Sequence, residues 1–169
     1  MNDAAARKLA DAYAVHGPAC RVYARSLTGA DDDAAQEAFV RLARRLAAGG
    51  VMPEHLRPWL LTAVRSAVID ARRSADRRRQ RESAALPDAP LFEPGAALDA
   101  EAAERAIMSL PARQREAVTL RIWGELGFEA IARMLGVATS TAHADFNAGI
   151  AALRRSLGER ELCETKETR

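Results

Sequence analysis

Between residues 31 and 46, apolar side chains return with the period of a helix. Ala35, Phe39, Leu42, Ala43 and Leu46 fall at i, i+4, i+7, i+8 and i+11, a spacing that lines one helix face and fits no strand. Asp33, Gln36, Glu37, Arg41 and Arg44 occupy the opposite face, and acids at 31–33 suit the positive end of the helix dipole. Similar spacing recurs in Leu60, Val64, Ala67, Val68 and Ala71, and again in Ala142, Phe146, Ile150, Leu153 and Leu157. Stripes of this kind bury themselves only against other stripes, so the expected fold class is all-α. Hydrophobic residues make up 49% of the 169-residue chain but aromatics only 5%. Each core is therefore expected to be thin and built from Leu, Val and Ile.

Glycine and proline punctuate the pattern. A first helix is expected over residues 5–13, continuing past Gly17-Pro18 to Leu27 and ended by Gly29. Gly49-Gly50 ends the second, a loop holds Pro53 and Pro58, and a third runs from Trp59 directly into an arginine block. Residues 83–100 carry Pro87, Pro90 and Pro94 without helical periodicity up to about Ala97, and read as a flexible linker. Helical pattern resumes over 98–108, stops at Leu110-Pro111 and resumes with Ala117, Val118, Leu120 and Ile122 as the buried side. Two small helical domains are expected, 1–82 and 101–160, joined by the linker at 83–100 and followed by a tail at 161–169, for which disorder is the default.

Net charge is +2, from 25 basic and 23 acidic residues, but the charges are segregated. Six arginines (Arg72, Arg73, Arg77, Arg78, Arg79, Arg81) stand against Asp76 alone, whereas residues 88–104 hold five acids and no base. The basic block suggests a polyanion contact; the plain alternative is a solvated face. No apolar run reaches the roughly 18 residues of a membrane span, and no secretory signal is expected, since the first residues carry no apolar stretch of that kind. The protein is expected to be cytoplasmic, without membrane insertion. Cys20 and Cys163 lie far apart, His16, His55 and His143 are scattered, and no nucleophile–base pair or phosphate-cradling loop stands out. Neither catalytic residues, nor a metal site, nor a cofactor is expected.

The stretch FEAIARMLGVATSTAHADF, residues 128–146, has the order of a helix-turn-helix. Ile131 and Leu135 face inward, and Ala132 is small where two helices cross. Gly136 can take a left-handed backbone at the turn, and Val137, Ala142 and Phe146 seal the second helix. An ordinary helical hairpin is the alternative.

At this point the sequence resembles the bacterial RNA polymerase sigma factors of the extracytoplasmic-function class, within the sigma-70 family. LPARQREAVTLRIWGELGFEAIARMLGV is similar to the family's fourth conserved region, through Leu110, Pro111, Arg113, Gln114, Arg115 and Glu116. DDDAAQEAFVRL and RPWLLTAVRSAVIDARR independently resemble the second region, in the right order. The resemblance implies core RNA polymerase and promoter DNA as partners, with an anti-sigma factor as a further one. Asp33, Gln36, Glu37, Arg41 and Arg44 would bind the polymerase clamp. The loop around 49–56 and the helix bearing Trp59, Arg65, Ser66, Asp70, Arg72, Arg73 and Arg77 would read and open the minus-ten element. Arginines there hold phosphates, while a loop pocket can take a base that has left the stack. Trp59, at the head of an apolar face, also reads as a core residue. The linker acids Asp88 and Glu93 would thread toward the polymerase cleft, or merely space the domains.

The recognition helix departs from the family pattern, which carries several bases there. In this chain Ser140, Thr141, His143 and Asn147 offer hydrogen bonds for the minus-thirty-five element, with Arg154 and Arg155 further along, and Asp145 is expected to repel DNA. Ser66 stands where the family has asparagine. Two other readings remain: a stand-alone helix-turn-helix regulator, and a degenerate sigma-like protein that acts through protein contacts.

Overall fold

The computed structural model describes residues 3–29, 32–81 and 98–167, excluding the side chains of 4, 78–81, 98–101 and 158–167. The linker acids Asp88 and Glu93 fall outside the described residues, and of Cys163 only the backbone, within the last helix, is described. All regular structure among them is helical: α1 Asp3–Thr28, α2 Asp33–Ala47, α3 Leu56–Arg81, α4 Leu98–Ser109, α5 Ala112–Ile122, α6 Phe128–Leu135 and α7 Thr139–Glu167. The chain divides into two compact units, Met1–Leu91 and Phe92–Arg169. Helix α4 begins within the stretch read as linker, and α7 continues through residues read as tail.

In the first unit α1, α2 and α3 pack on one another around Cys20, Tyr23, Ala24, Leu42, Leu60, Leu61 and Val64. Helix α1 passes through Pro18 without a break, although proline removes a backbone donor there. It ends where Gly29 takes φ 97° and donates its amide to the Arg25 carbonyl at 2.7 Å. Arg25 then grips Asp32 through two bonds of 2.9 and 3.1 Å, strapping α1 to the start of α2. Gly49, at φ 80°, closes α2. Helix α3 starts at Leu56 rather than Trp59, so Pro58 lies in its first turn, where an amide proton has no intrahelical partner to lose. Its apolar stripe stops at Val68; Ala71, expected inside, is exposed along with the rest of residues 70–77.

In the second unit α5 and α7 cross closely, with α4 and α6 against α7. Ala117, Val118 and Leu120 are buried as expected, but Ile122 is 45% exposed. The helix ends there, and the chain doubles back: the Leu126 amide bonds the Leu120 carbonyl at 3.1 Å, and the buried Leu126 side chain serves the core instead. Gly136 takes φ 71°, the left-handed conformation expected at the turn. The buried line of α7 differs from the expected one. Ala142, Asp145 and Gly149 are buried, Phe146, Ile150 and Leu153 are half-buried, and Leu157 is exposed. Gly149 explains the shift, because a Cβ there would sit 2.7 Å from a Val118 methyl. At Gly149, α7 therefore packs on Val118 and Gln114 of α5 with no room for a side chain.

Candidate nucleic-acid and polymerase interfaces

On α2, Asp33, Gln36 and Arg44 are exposed and Glu37 is half-buried. Glu37 Oε1 takes Arg41 Nε at 3.2 Å and lies 3.7 Å from Arg44 Nη1. Arg41, half-buried like Glu37, bridges α2 and α3. Beside the Nε bond to Glu37, its Nη1 donates to Ser66 Oγ at 3.1 Å and its Nη2 to Asp70 Oδ2 at 3.3 Å, so the guanidinium joins the two helices.

The residues picked out on α3 separate onto two flanks. At about 100° per residue, Trp59, Ser66, Asp70, Arg73 and Arg77 share a strip about 60° wide, whereas Arg65 and Arg72 lie on the opposite side of the buried stripe. The first strip borders α2, as the Arg41 bonds show. The second borders α1, where Arg72 Nη2 donates to the Leu27 carbonyl. Trp59 is half-buried rather than a core residue, and Arg73 and Arg77 are exposed. A cavity of about 280 Å³ beside the glycine turn is lined by Lys8, Leu46, Gly49, Gly50, Val51 and Met52, among others, which places a recess within the loop expected to capture a base.

In the second unit, Ser140, His143, Asn147 and Arg154 are exposed on α7 and Thr141 is half-buried. His143 stacks edge-on against Phe128, with ring centroids 4.7 Å apart, and its Nδ1 lies 3.1 Å from Asn147 Nδ2. Asp145 is not a repulsive group on the outer face. It is buried, and its carboxylate takes Arg113 Nε at 2.6 Å and Nη2 at 3.2 Å. A bidentate guanidinium cancels its charge and ties the recognition helix to the start of α5. Periodicity does not reveal this role of Arg113. Its partner lies 32 positions away, and no local spacing links the two.

Two helical units, the second with a helix-turn-helix whose turn glycine is left-handed and whose second helix presents polar groups, define a DNA-binding transcription protein. Residues 12–78 match the family model for Sigma-70 region 2, and residues 100–153 match that for Sigma-70, region 4. The chain belongs to the sigma-70 family, in its extracytoplasmic-function class. It is thus a sigma factor of promoter recognition and transcription initiation, whose regions bind core RNA polymerase and promoter DNA. No curated protein matches the chain. Solved structures that share its fold include two complexes. One is the sigma factor RpoE in complex with the anti-sigma factor NepR from Bartonella quintana, at 23% identity over 90% of this chain and 98% of that one, with a TM-score of 0.72. The other is CnrH in complex with the cytosolic domain of CnrY, at 21% identity over 90% of this chain and 89% of that one, with a TM-score of 0.59. Among the described residues, no helix is long and apolar enough to cross a membrane.

Proposed function

We propose that this chain is a non-catalytic cytoplasmic subunit that docks on the polymerase clamp through Asp33, Gln36, Glu37 and Arg44 of α2. The Trp59, Ser66, Asp70, Arg73 and Arg77 strip of α3, with the 49–56 loop, reads the opened minus-ten element. Arg65 and Arg72 flank α1 and act on the DNA backbone or on the α1–α3 packing. The second unit reads the minus-thirty-five element through Ser140, Thr141, His143 and Asn147, with Arg154 on phosphate. An anti-sigma factor holds the chain inactive until it is needed. The observation that carries this reading is the α2–α3 pair, which sets a polar helix face beside an exposed strip bearing Arg73 and Arg77.

The test is reconstitution with core polymerase and run-off transcription from genomic fragments. Discrete transcripts that require both proteins are expected. DNA binding without core would instead support a stand-alone regulator. Stable core binding without any transcript would favour action through protein contacts, a reading with one observation behind it: α7 has no Lys or Arg between Thr139 and Leu153.

A further inference from the structure

We infer that Ser66 and Asp70 form a base-reading pair that selects an unpaired base carrying an exocyclic amino group, and that Arg41 is the positioning residue that makes this possible. The inference rests on the proposed role of α3 at the opened minus-ten element.

A carboxylate on a DNA-facing strip is at first sight misplaced, since it repels phosphate. Here Asp70 is charge-compensated from behind. Arg41 reaches across from α2, donating to Asp70 Oδ2 at 3.3 Å and to Ser66 Oγ at 3.1 Å, while Ser66 Oγ donates to the same Asp70 oxygen at 3.3 Å. Both bonds to the carboxylate fall on Oδ2. Oδ1 takes neither, on a residue whose side chain is 58% exposed. An ionised carboxylate only accepts hydrogen bonds, so what it can receive from a base is an N–H. Adenine, cytosine and guanine offer an exocyclic amino group on the edge exposed when the strands part; thymine offers carbonyl oxygens beside a single ring N–H. Arg73 and Arg77, on the same strip and exposed, supply attraction for the flanking phosphates. The strip therefore combines backbone attraction with one acceptor of fixed direction, and the acceptor discriminates against thymine.

The experiment uses holoenzyme and a pool of fork-junction DNAs with randomised unpaired non-template positions, sequenced before and after binding. Depletion of thymine by about tenfold at one unpaired position is expected, the scale of a single good base contact. Asp70→Ala should abolish that depletion, Asp70→Asn should relax it by adding a donor that thymine can accept, and Arg41→Met should reduce it with Asp70 still present. Depletion is a ratio between bases on one holoenzyme, so lost folding or lost core affinity lowers all bases together and leaves it unmoved. A thymine preference profile identical in wild type and Asp70→Ala, with DNA still bound, overturns the base-reading pair alone. Failure of the wild-type holoenzyme to bind any member of the pool overturns the minus-ten reading of α3 and the inference with it.

Discussion

Cys20 is 1% exposed in the core of the first unit, and burial pushes its thiol from 9.0 up to about 12 against the opposing charges of Arg21 and Arg57. The thiolate is the reactive form, so this cysteine is inert in the folded protein and reacts with a thiol reagent only on unfolding. The same shift fixes the sign of a pH effect. Above pH 9 the unfolded chain loses the Cys20 proton while the folded chain keeps it, so the stabilisation is fully present below 9 and is lost as pH rises toward 12. Cys20→Ala should therefore flatten the alkaline fall in stability between these limits relative to wild type, at a cost of about 1 kcal/mol near neutrality from the lost sulfur packing. Parallel denaturant titrations at pH 7 and 10 measure both. Equal alkaline losses in the two proteins would remove the thiol as the cause.

At the scale of elements, the contacts that hold the recognition helix to α5 include one ionic and one steric. Asp145 is nearly enclosed, with its side chain 10% exposed, while Arg113 is 58% exposed. Arg113→Ala leaves a buried carboxylate without its guanidinium and should cost about 1–3 kcal/mol. Asp145→Ala only returns an arginine to water and should cost less. A double-mutant cycle by thermal unfolding should find the two losses non-additive. Gly149→Ala tests the steric contact: the added methyl must displace Val118, and a loss of about 1–3 kcal/mol is expected from overpacking. Unchanged unfolding of this variant would show that the crossing can yield. These contacts also mark where sequence reading stops. Periodicity carries helix faces, so Phe39, Leu42, Leu60, Val64 and Ile131 are legible, as is the left-handed Gly136. It does not carry pairings between helices. Asp145 with Arg113, and Arg41 with Ser66 and Asp70, join residues 25 to 32 positions apart, and each changes the meaning of a charge that looked solvent-facing. The exposure of Ile122 has a related cause, because the fold-back that brings Leu126 to the Leu120 carbonyl is a property of the turn rather than of the helix.

For the whole molecule, the charge distribution separates the two proposed DNA contacts by type. The first unit has a run of arginines at the end of α3, including exposed Arg73 and Arg77, whereas α7 has no Lys or Arg from Thr139 to Leu153 and the one acid of that stretch, Asp145, is paired with Arg113. Each phosphate neutralised contributes about 0.7 to 0.9 to the slope of log affinity against log salt, so the slope counts ionic contacts. Promoter binding by the holoenzyme should therefore lose about that much slope with Arg73→Ala or Arg77→Ala. Asn147→Ala or Ser140→Ala should weaken binding to promoters with an intact upstream element while leaving the slope unchanged, since neutral hydrogen bonds are all these side chains can offer to a base or phosphate. Equilibrium binding measured across a salt series, with and without the duplex upstream element, separates the two. A slope that falls on removing Asn147, or that ignores Arg73 and Arg77, would place the ionic grip of this sigma factor on its second unit instead.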